Sequence, residues 1–499
     1  MPLNLFAINV GTFDVSEAIR AFCLSIIFVA FIQWLAGRVF KNTRVSAIVL
    51  GYFLFGIWSF NFGPIWWLIY AVGFVAIIAC LRRWPVRVNA IIILNMVAIA
   101  VFLTPVVSIF SHYWTQETIQ HNQFSTGPFH QLSRPLQDPP PSIVHIVLDG
   151  YSSDETLKRI YRFDNSTFFD ALRDQGFVVF PNINTAYNQT LLSMASIFHG
   201  EYLNSEQAPL TLNGASEIRR SLAAVVSDGA VLRRLAADGY QFSHTKNGYS
   251  GIRFSGANRA SLPDGAFSPL NLFESYMIQT TALRLITPVE TLQSHVLDDL
   301  LRHGLTTDVY RTDESPIYHY HHLMSPHPPH TINHLGVTIH KKGANFATIA
   351  DGNPTVSGSA ALQTEYRAGY IEKLRYTNVA LAAQTKAMIA GIAGNKVIMI
   401  HGDHGGGSLW HPDSMSDSCL AERLGTFVAV YADDPGILGA FKQNLQAEPN
   451  LINLYRTLMG EMYGKKLPPL QDKSFFADYS TVKNLRLVDR RELNRNCGY

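Results

Sequence analysis

The sequence predicts a chain in two parts: an α-helical membrane domain of about four spans, then an α/β domain whose central, mostly parallel sheet is sandwiched by helices. Three observations carry this. Long uncharged stretches fill most of the first 111 residues. Beyond Pro141, strand-like apolar runs alternate with helical patterns, the signature of a sheet covered by helices on both faces. Two of those strands end in carboxylates, Asp149 and Asp403. Composition then narrows the function classes. The 499 residues are 47% hydrophobic and 16% charged, and a mean hydropathy of +0.07 is high for a soluble enzyme. A net charge of +2 argues against a nucleic-acid binder, which concentrates Lys and Arg on one surface. Four cysteines, with no CxxC pair among them, exclude a disulfide-built scaffold and offer no structural zinc site. With 30 Phe, 21 Tyr and 7 Trp available for a core, disorder is excluded as the main state.

Within residues 1–111, the segment Ala21–Gly37 is uncharged and is followed by Arg38, Lys41 and Arg44. A second uncharged stretch runs from Val45 to Leu81 and is followed by Arg82, Arg83 and Arg87; a third runs from Val88 to Ser111. A spanning helix needs about 20 apolar residues, so the first and third stretches each supply one. The middle one suits two short helices turning at Asn61–Phe62–Gly63–Pro64. The expected spans are therefore 16–37, 45–61, 64–81 and 88–110. The alternative, a cleaved signal peptide, is disfavoured by several long segments without a small-residue cleavage pattern. All six basic residues lie in the loops after spans one and three, and the positive-inside rule makes those loops cytoplasmic. The N-terminus and everything after Phe110 are then outside.

Residues 112–140 are polar, end in Pro139, Pro140 and Pro141, and read as a linker or surface strap. The α/β domain is expected over 141–482, with 483–499 as a C-terminal tail. Ile143–Leu148 reads as a buried strand stopping at Asp149–Gly150. Residues 166–175 read as a helix ended by Gly176, and Asn188–Phe198 as a helix with Asn188 at its N-cap. A long helical stretch over 361–393 leads through Asn395 into the strand Lys396–His401, which runs into Gly402–Asp403–His404–Gly405–Gly406–Gly407. A further strand covers Thr426–Ala432.

Chemistry in such sheets collects where strands end at their carboxyl edge. Asp149 alone reads equally well as a helix cap. Asp403–His404 before three glycines is a stronger signal, because carboxylate plus imidazole is a normal ligand set for a divalent cation and the glycines permit a tight turn. Thr190 opens the helix after Asn188, where a hydroxyl faces free N–H groups and the positive helix end; by itself it reads as a minor cap. Ser193, a competing hydroxyl one turn on, reads as packed. The run Tyr318–His330 starts as a strand and continues into Ser325–Pro326–His327–Pro328–Pro329, a loop with few conformers that places His327 firmly. By default His319, His321, His322 and His330 are surface or core residues.

The strand-ending LDG at Leu148–Gly150, the NQTLLSMAS segment, the SPHPP loop and the strand-ending GDHGGG stand in an order that resembles the alkaline phosphatase superfamily. Within it the chain is most similar to membrane-anchored sulfatase-like transferases and hydrolases: lipoteichoic acid synthases, lipid A phosphoethanolamine transferases and periplasmic-glucan phosphoglycerol transferases. The likeness covers roughly residues 141–480, including YRAGYIEKLRYTN before the DHG strand and LPPLQDKSFFADYS near the end. It implies an alkaline-phosphatase-like fold and one divalent metal ion, Zn or Mn with Mg also acceptable, held by Asp149, Asp403, His404 and the oxygen of Thr190. It implies Thr190 as the nucleophile that forms a phosphothreonine, and His327 as the group that binds the phosphodiester or protonates the leaving oxygen. His322 and His411 join His327 as expected substrate-binding residues.

The chain also departs from the pattern. Several of these transferases carry Glu where Asp149 stands, and one methylene less still reaches a metal. The tandem Asp–Asp strand end of sulfatases is absent, and no Cys/Ser-x-Pro-x-Arg sequence lies near Thr190, which disfavours a formylglycine sulfatase. A second metal site is not evident, although His401, His411 and Asp413 are close enough in sequence to contribute.

The expected function is therefore transfer of a phosphoglycerol or phosphoethanolamine head group from a membrane phospholipid onto a cell-envelope glycan or lipid. Its setting is a multi-pass protein of the bacterial inner membrane with a periplasmic catalytic domain. The alternative is a membrane-bound phosphodiesterase or phosphatase using the same residues; a degenerate, non-enzymatic scaffold is the third reading. Cys419 and Cys497 both lie in the exported part, where a disulfide can form. Asn165–Ser166–Thr167 and Asn188–Gln189–Thr190 match the glycosylation sequon, and a glycan on Asn188 would obstruct Thr190, which favours a bacterial setting.

Overall fold

The computed structural model describes residues 2–8, 15–40, 42–58, 64–83, 88–119, 127–203, 215–245, 259–261, 272–282, 316–337, 339, 351, 356 and 358–498. The chain divides into two compact units, Met1–Gln120 with Ser268–Leu292, and His121–Phe267 with Gln293–Tyr499.

The first unit is helical: α1 (Pro2–Ile8), α2 (Val15–Phe40), α3 (Thr43–Trp58), α4 (Pro64–Arg83), α5 (Val88–Ile119) and, from far along the chain, α11 (Leu272–Gln279). Helices α2 to α5 stand where four spans were expected. Among the described residues one stretch, Ala18–Phe40, is long and apolar enough by length and composition to cross a membrane, while α3, α4 and α5 carry shorter apolar stretches, Arg44–Gly56, Leu68–Cys80 and Asn95–Ser111. Four helices are present over the expected spans, and one of them meets the length and composition needed to cross a membrane. The expected turn at Asn61–Phe62–Gly63 lies outside the described residues. Helix α5 runs beyond 110 into the segment expected as linker.

The second unit is a three-layer α/β structure. In chain order it contains β1 (Ser142–Leu148), α6 (Asp154–Arg159), α7 (Ser166–Asp174), β2 (Val178–Asn184), α8 (Thr190–His199), α9 (Ala215–Asp228), α10 (Ala230–Ala237), β3 (Gln241–Thr245) and β4 (Arg259–Ser261). Then come β5 (Ile317–Leu323), α12 (Ala360–Gly391), β6 (Lys396–Gly402), α13 (Leu420–Leu424), β7 (Gly425–Ala432), α14 (Pro435–Ala447), α15 (Asn453–Met462), β8 (Phe475–Phe476) and β9 (Arg486–Leu487). The seven-stranded sheet has the order β2-β7-β6-β1-β5-β3-β4. Strand β7 runs antiparallel to both neighbours, and the remaining pairs are parallel. Strand β1 lies at the centre and is buried on both faces, which is why SIVHIVL reads as a nearly continuous apolar run rather than an alternation. Its odd positions Ile143 and Val147 pack under α8, α9, α10, α14 and α15. Its even positions Val144, Ile146 and Leu148 pack under α6, α7 and α12.

Register sets the functional edge. Leu148 pairs with Leu323 of β5 on one side and Gly402 of β6 on the other, so three parallel strands end at one level and present Asp149 and Asp403 side by side. Helix α8 starts at Thr190 with Gln189 as N-cap, one residue later than expected. Asn188 is not the cap: it mimics a backbone peptide, its Oδ1 accepting from Ala477 N at 2.9 Å and its Nδ2 donating to Ala477 O at 3.1 Å. Asn165 and Asn188 are both buried, so neither sequon is open to a glycan in the folded chain.

Residues 127–140 form a strap pinned by Phe129 and Leu132, both buried in the sheet's core, and by the Leu136 N–H on Met462 O at 2.8 Å. The C-terminal residues are tied back by a Cys419–Cys497 disulfide across a sequence separation of 78. Cys419 caps α13, whose Glu422 in turn takes the N–H groups of Ser408 and Leu409 just after the triple glycine. Removing the bond with a Cys419→Ser, Cys497→Ser double substitution should cost about 2–4 kcal/mol of stability, read as a lower melting temperature that reducing agent no longer changes.

Candidate active site and cation cluster

The carboxyl edge of β5, β1 and β6 carries the cluster. Asp403 Oδ1 accepts two backbone N–H groups, from Gly150 at 3.0 Å and His404 at 2.9 Å. Its Oδ2 is buried and, among the described residues, has no hydrogen-bond partner. Asp149 repeats the arrangement: Oδ2 takes His322 Nε2 at 3.2 Å, and Oδ1 is buried and unpartnered. Gly150 makes the crossing possible, because its φ of +73° is a conformation a side chain would strain. Gly405 is required by close packing instead: a Cβ there would lie 1.9 Å from Glu422 O. The glycines after His404 thus serve close approach as well as the tight turn expected of them.

His404 donates Nδ1–H to Gly405 O at 2.9 Å, which leaves the Nε2 lone pair facing the site. That nitrogen lies 3.3 Å from Asp403 Oδ2 and 3.9 Å from Asp149 Oδ1, and the Thr190 hydroxyl is 3.0 Å away. Burial, with Arg423 adding to it, holds the His404 pKa below its ordinary value, so the imidazole is neutral near pH 7. Burial alone would raise the Asp149 pKa, but His327, His322 and His404 more than offset it and keep this carboxyl below the ordinary carboxylate range. Two buried carboxylates with an unused oxygen each are costly without a counter-charge. One ligand atom each from Asp149, His322 and Asp403 lie within 4.8 Å of one another. Orphaned carboxylate oxygens, a neutral imidazole nitrogen and a hydroxyl on one point fit a divalent cation.

Thr190 sits in the first position of α8, whose leading N–H groups have no acceptor within the helix. Ser193 is packed, donating to Asp403 O at 2.8 Å and meeting Thr185 Oγ1 at 2.8 Å. His327 donates Nδ1–H to Pro328 O at 2.6 Å and turns Nε2 toward Asp351 Oδ2 at 3.9 Å. His322, expected on the substrate side and by default core or surface, is buried against Asp149 within the cation cluster. His411 is half-buried on a turn closed by Ser418, whose Oγ accepts the His411 N–H at 2.9 Å. Among the described residues, His401, His411 and Asp413 do not form a group able to hold a metal ion. His401 is on the α8 face of β6 with Nε2 at 2.7 Å from His145 Nε2, and Asp413 caps the Ser480 N–H at 2.7 Å.

Three residues that sequence reasoning missed complete the site. Asp351 takes Tyr366 OH at 2.5 Å and Arg423 Nη1 at 2.6 Å. Arg423 also sets Nη2 3.0 Å from His404 Nε2, anchors Nε on Asn188 O at 2.8 Å, and stacks on Trp410 at 3.8 Å from the ring centroid. Lys373, on α12, donates Nζ to the carbonyls of Met324, His327 and Pro329 at 2.8, 2.5 and 3.3 Å and so staples the proline loop. Burial pulls its pKa down to about 7 against the upward pull of Asp149 and Asp351. The one available signal was Lys373's place inside YRAGYIEKLRYTN; Asp351 and Arg423 carry no local pattern.

The second unit also buries imidazoles as neutral groups. Burial lowers His401 and His199 to about 4, and pushes His145 and His321 down as well. Their folded pKa values lie below the unfolded value near 6.5, so on acidification the unfolded chain takes protons that the folded one refuses. Stability should therefore fall as pH drops from about 6.5 toward 4, each such group contributing up to ~1.4 kcal/mol per pH unit. Urea midpoints measured across that window check it.

No family model and no curated protein matches the chain. Among solved structures it is similar to the C-terminal periplasmic domain of EcEptC from Escherichia coli, at 12% identity and a TM-score of 0.41, over 74% of this chain and 96% of that one. It is similar to the integral membrane lipooligosaccharide phosphoethanolamine transferase A (EptA) from Neisseria meningitidis, at 10% identity and a TM-score of 0.37, over 80% and 70%. It is also similar to the phosphonate monoester hydrolase of Agrobacterium radiobacter, at 12% identity and a TM-score of 0.36, over 67% and 80%. The second and third of these are named as enzymes, a transferase and a hydrolase.

Proposed function

We propose that this chain is a membrane-anchored phosphotransferase that moves a phosphoglycerol or phosphoethanolamine head group from a phospholipid to an envelope glycan or lipid through a phosphothreonine on Thr190. The observation that carries the reading is the Thr190 hydroxyl at the N-terminus of α8, 3.0 Å from a neutral His404 Nε2 that faces two carboxylate oxygens without a hydrogen-bond partner among the described residues. A divalent ion, Zn or Mn by its imidazole ligand, would be held by Asp149, Asp403, His404 and Thr190 with His322 beside them; when bound it supplies positive charge at the phosphoryl oxygens and makes the hydroxyl more acidic.

The chain's own residues account for the rest. Thr190 Oγ1 gives up its proton, to His404 Nε2 or, when that lone pair is occupied, to solvent, and forms a bond to phosphorus. The phosphorus–oxygen bond to the lipid alcohol breaks opposite it. The α8 N–H groups and Arg423 face the phosphoryl oxygens. His327 Nε2 gives a proton to the departing oxygen, and Lys373 keeps the loop that carries it in place. An acceptor hydroxyl then loses its proton to His327 and attacks the phosphothreonine, and Thr190 Oγ1 leaves, taking back a proton from His404 or solvent, whichever received it in the first step.

The apolar side chains turned outward along the first unit, among them Ile26, Ile27, Val39, Val107 and Phe110, suit a lipid surround for helices α2 and α5. Together with the positive-inside count they support a multi-pass inner-membrane protein with its second unit in the periplasm. Hydrolysis is the second reading, favoured by the His327–Asp351 pair, which is placed to activate water in place of an acceptor alcohol.

Intact-mass analysis of the full chain after incubation with Zn or Mn and vesicles of phosphatidylglycerol or phosphatidylethanolamine tests this. A metal-dependent adduct of phosphoglycerol or phosphoethanolamine mass, absent in Thr190→Ala, is the expected result and names the donor. Release of free head group without an adduct would move the reading to the hydrolase, and neither product would sink both.

A further inference from the structure

The chain passes between its two units three times: after residue 120, at 267–268 and at 292–293. The middle excursion, residues 268–292, leaves the α/β unit and joins the membrane helices through α11. One face of α11 makes the contact, with Phe273, Glu274 and Ile278 buried and Met277 partly so, at the spacing of a single helical stripe. Phe273 packs edge-on to Phe6 of α1, with ring centroids 6.0 Å apart. Ala18 and Ala21, one turn apart on α2, are buried in the same cluster, and their small side chains let the helices approach closely. Ile109, late in α5, joins them.

Charge makes this attachment specific. Arg20 stands near the start of α2, inside the stretch long enough to span. A basic residue at that end runs against the positive-inside distribution, and a charge at membrane depth is costly unless paired. Glu274, only 2% exposed, supplies the pair: Arg20 Nε donates to Oε1 at 2.5 Å, and Nη2 meets Oε2 in a bidentate contact. The partners are 254 residues apart in sequence. The start of α2 and the late part of α5 share this cluster with α11, as they must if α2 to α5 cross an even number of times. Arg38, Arg82 and Arg83 stand at the far ends of α2 and α4.

We infer that α11 is a second anchor of the catalytic unit in the outer leaflet, locked by Arg20–Glu274, and that the lock is needed for turnover of bilayer-borne substrate but not of soluble ester. The substrate consequence rests on the reading of the site given above; the anchor itself does not.

The test uses the full chain in phosphatidylethanolamine–phosphatidylglycerol vesicles. Arg20→Glu and Glu274→Arg should each lower turnover of the vesicle lipid at least tenfold, and the double reversal should return it to within about threefold of the starting protein. Release of p-nitrophenol from a soluble phosphodiester should stay within twofold in all three. Equal losses on both substrates, no loss, or no rescue by the double reversal would overturn the inference. If the unaltered chain turns over neither substrate, the reading of the site has failed, and the anchor is then judged by oxidative cross-linking. An Arg20→Cys, Glu274→Cys pair, with Cys23 and Cys80 changed to Ser, should form a disulfide in membranes, whereas an Arg38→Cys, Glu274→Cys pair should not. Failure of the first pair to link would sink the anchor independently of any activity.

Discussion

Thr190→Ala should lower turnover of a phosphodiester by ~10⁴-fold or more, because it removes the only atom the reading allows to bond to phosphorus. Thr190 is partly exposed and lies at a helix start, and its hydroxyl is held by His404. Folding stability should therefore move by less than ~1 kcal/mol. Thr190→Ser keeps the hydroxyl at the same place and should retain activity within about a hundredfold of the parent. A structural role alone would not produce that split between Ala and Ser at constant stability. Steady-state kinetics on all three chains, with melting curves beside them, give the answer. Activity of the Ala variant within tenfold of the parent would move the nucleophile elsewhere, and Ser193 is a poor substitute because its Oγ is committed to Asp403 O.

Asp403→Asn should produce effects of opposite sign with and without metal. In the metal-free chain, Asp403 Oδ2 and Asp149 Oδ1 are like-charged, buried and unpartnered among the described residues. Neutralising one should stabilise the chain by roughly 1–3 kcal/mol. The amide oxygen can still accept the Gly150 and His404 N–H groups that hold Oδ1 now. With Zn or Mn at a hundred times its dissociation constant, the parent should gain about 2.7 kcal/mol by mass action, and the variant almost none. Activity in the variant should fall by ~10³-fold, on the scale of losing a first ligand and the charge it places. Thermal denaturation with and without metal reads both signs in one experiment. A metal-induced shift that survives Asp403→Asn would place the cation elsewhere. The binding should also weaken as the pH falls through the lowered pKa of His404, where protons compete with the ion for Nε2.

How much of this was legible in sequence depends on how local each signal was. Strands β1 and β6 announced themselves through near-continuous apolar runs, and Asp149 and Asp403 through their place at the ends of those runs. Thr190 and His327 could be singled out because a helix start and a proline-bounded loop are short patterns. Asp351, Arg423 and Lys373 could not, since each matters only through a partner: Arg423 meets Asp351 across 72 residues, and Lys373 meets the carbonyl of His327 across 46. Asn188 was misplaced for the same reason, because the peptide it mimics a partner for lies 289 residues away at Ala477.

The sequence by itself determined the composition of the two units, the runs of residues that become strands and helices, and the residue types at the strand ends. Those follow from periodicity, turn chemistry and the apolar length a membrane demands. Only the tertiary structure decided which oxygen of each carboxylate is left unused, that His322 belongs with Asp149, that His401 turns to His145, and that α11 packs on α2. Each of these is a contact between groups far apart in the chain, set by sheet register and helix packing, and no local pattern encodes it.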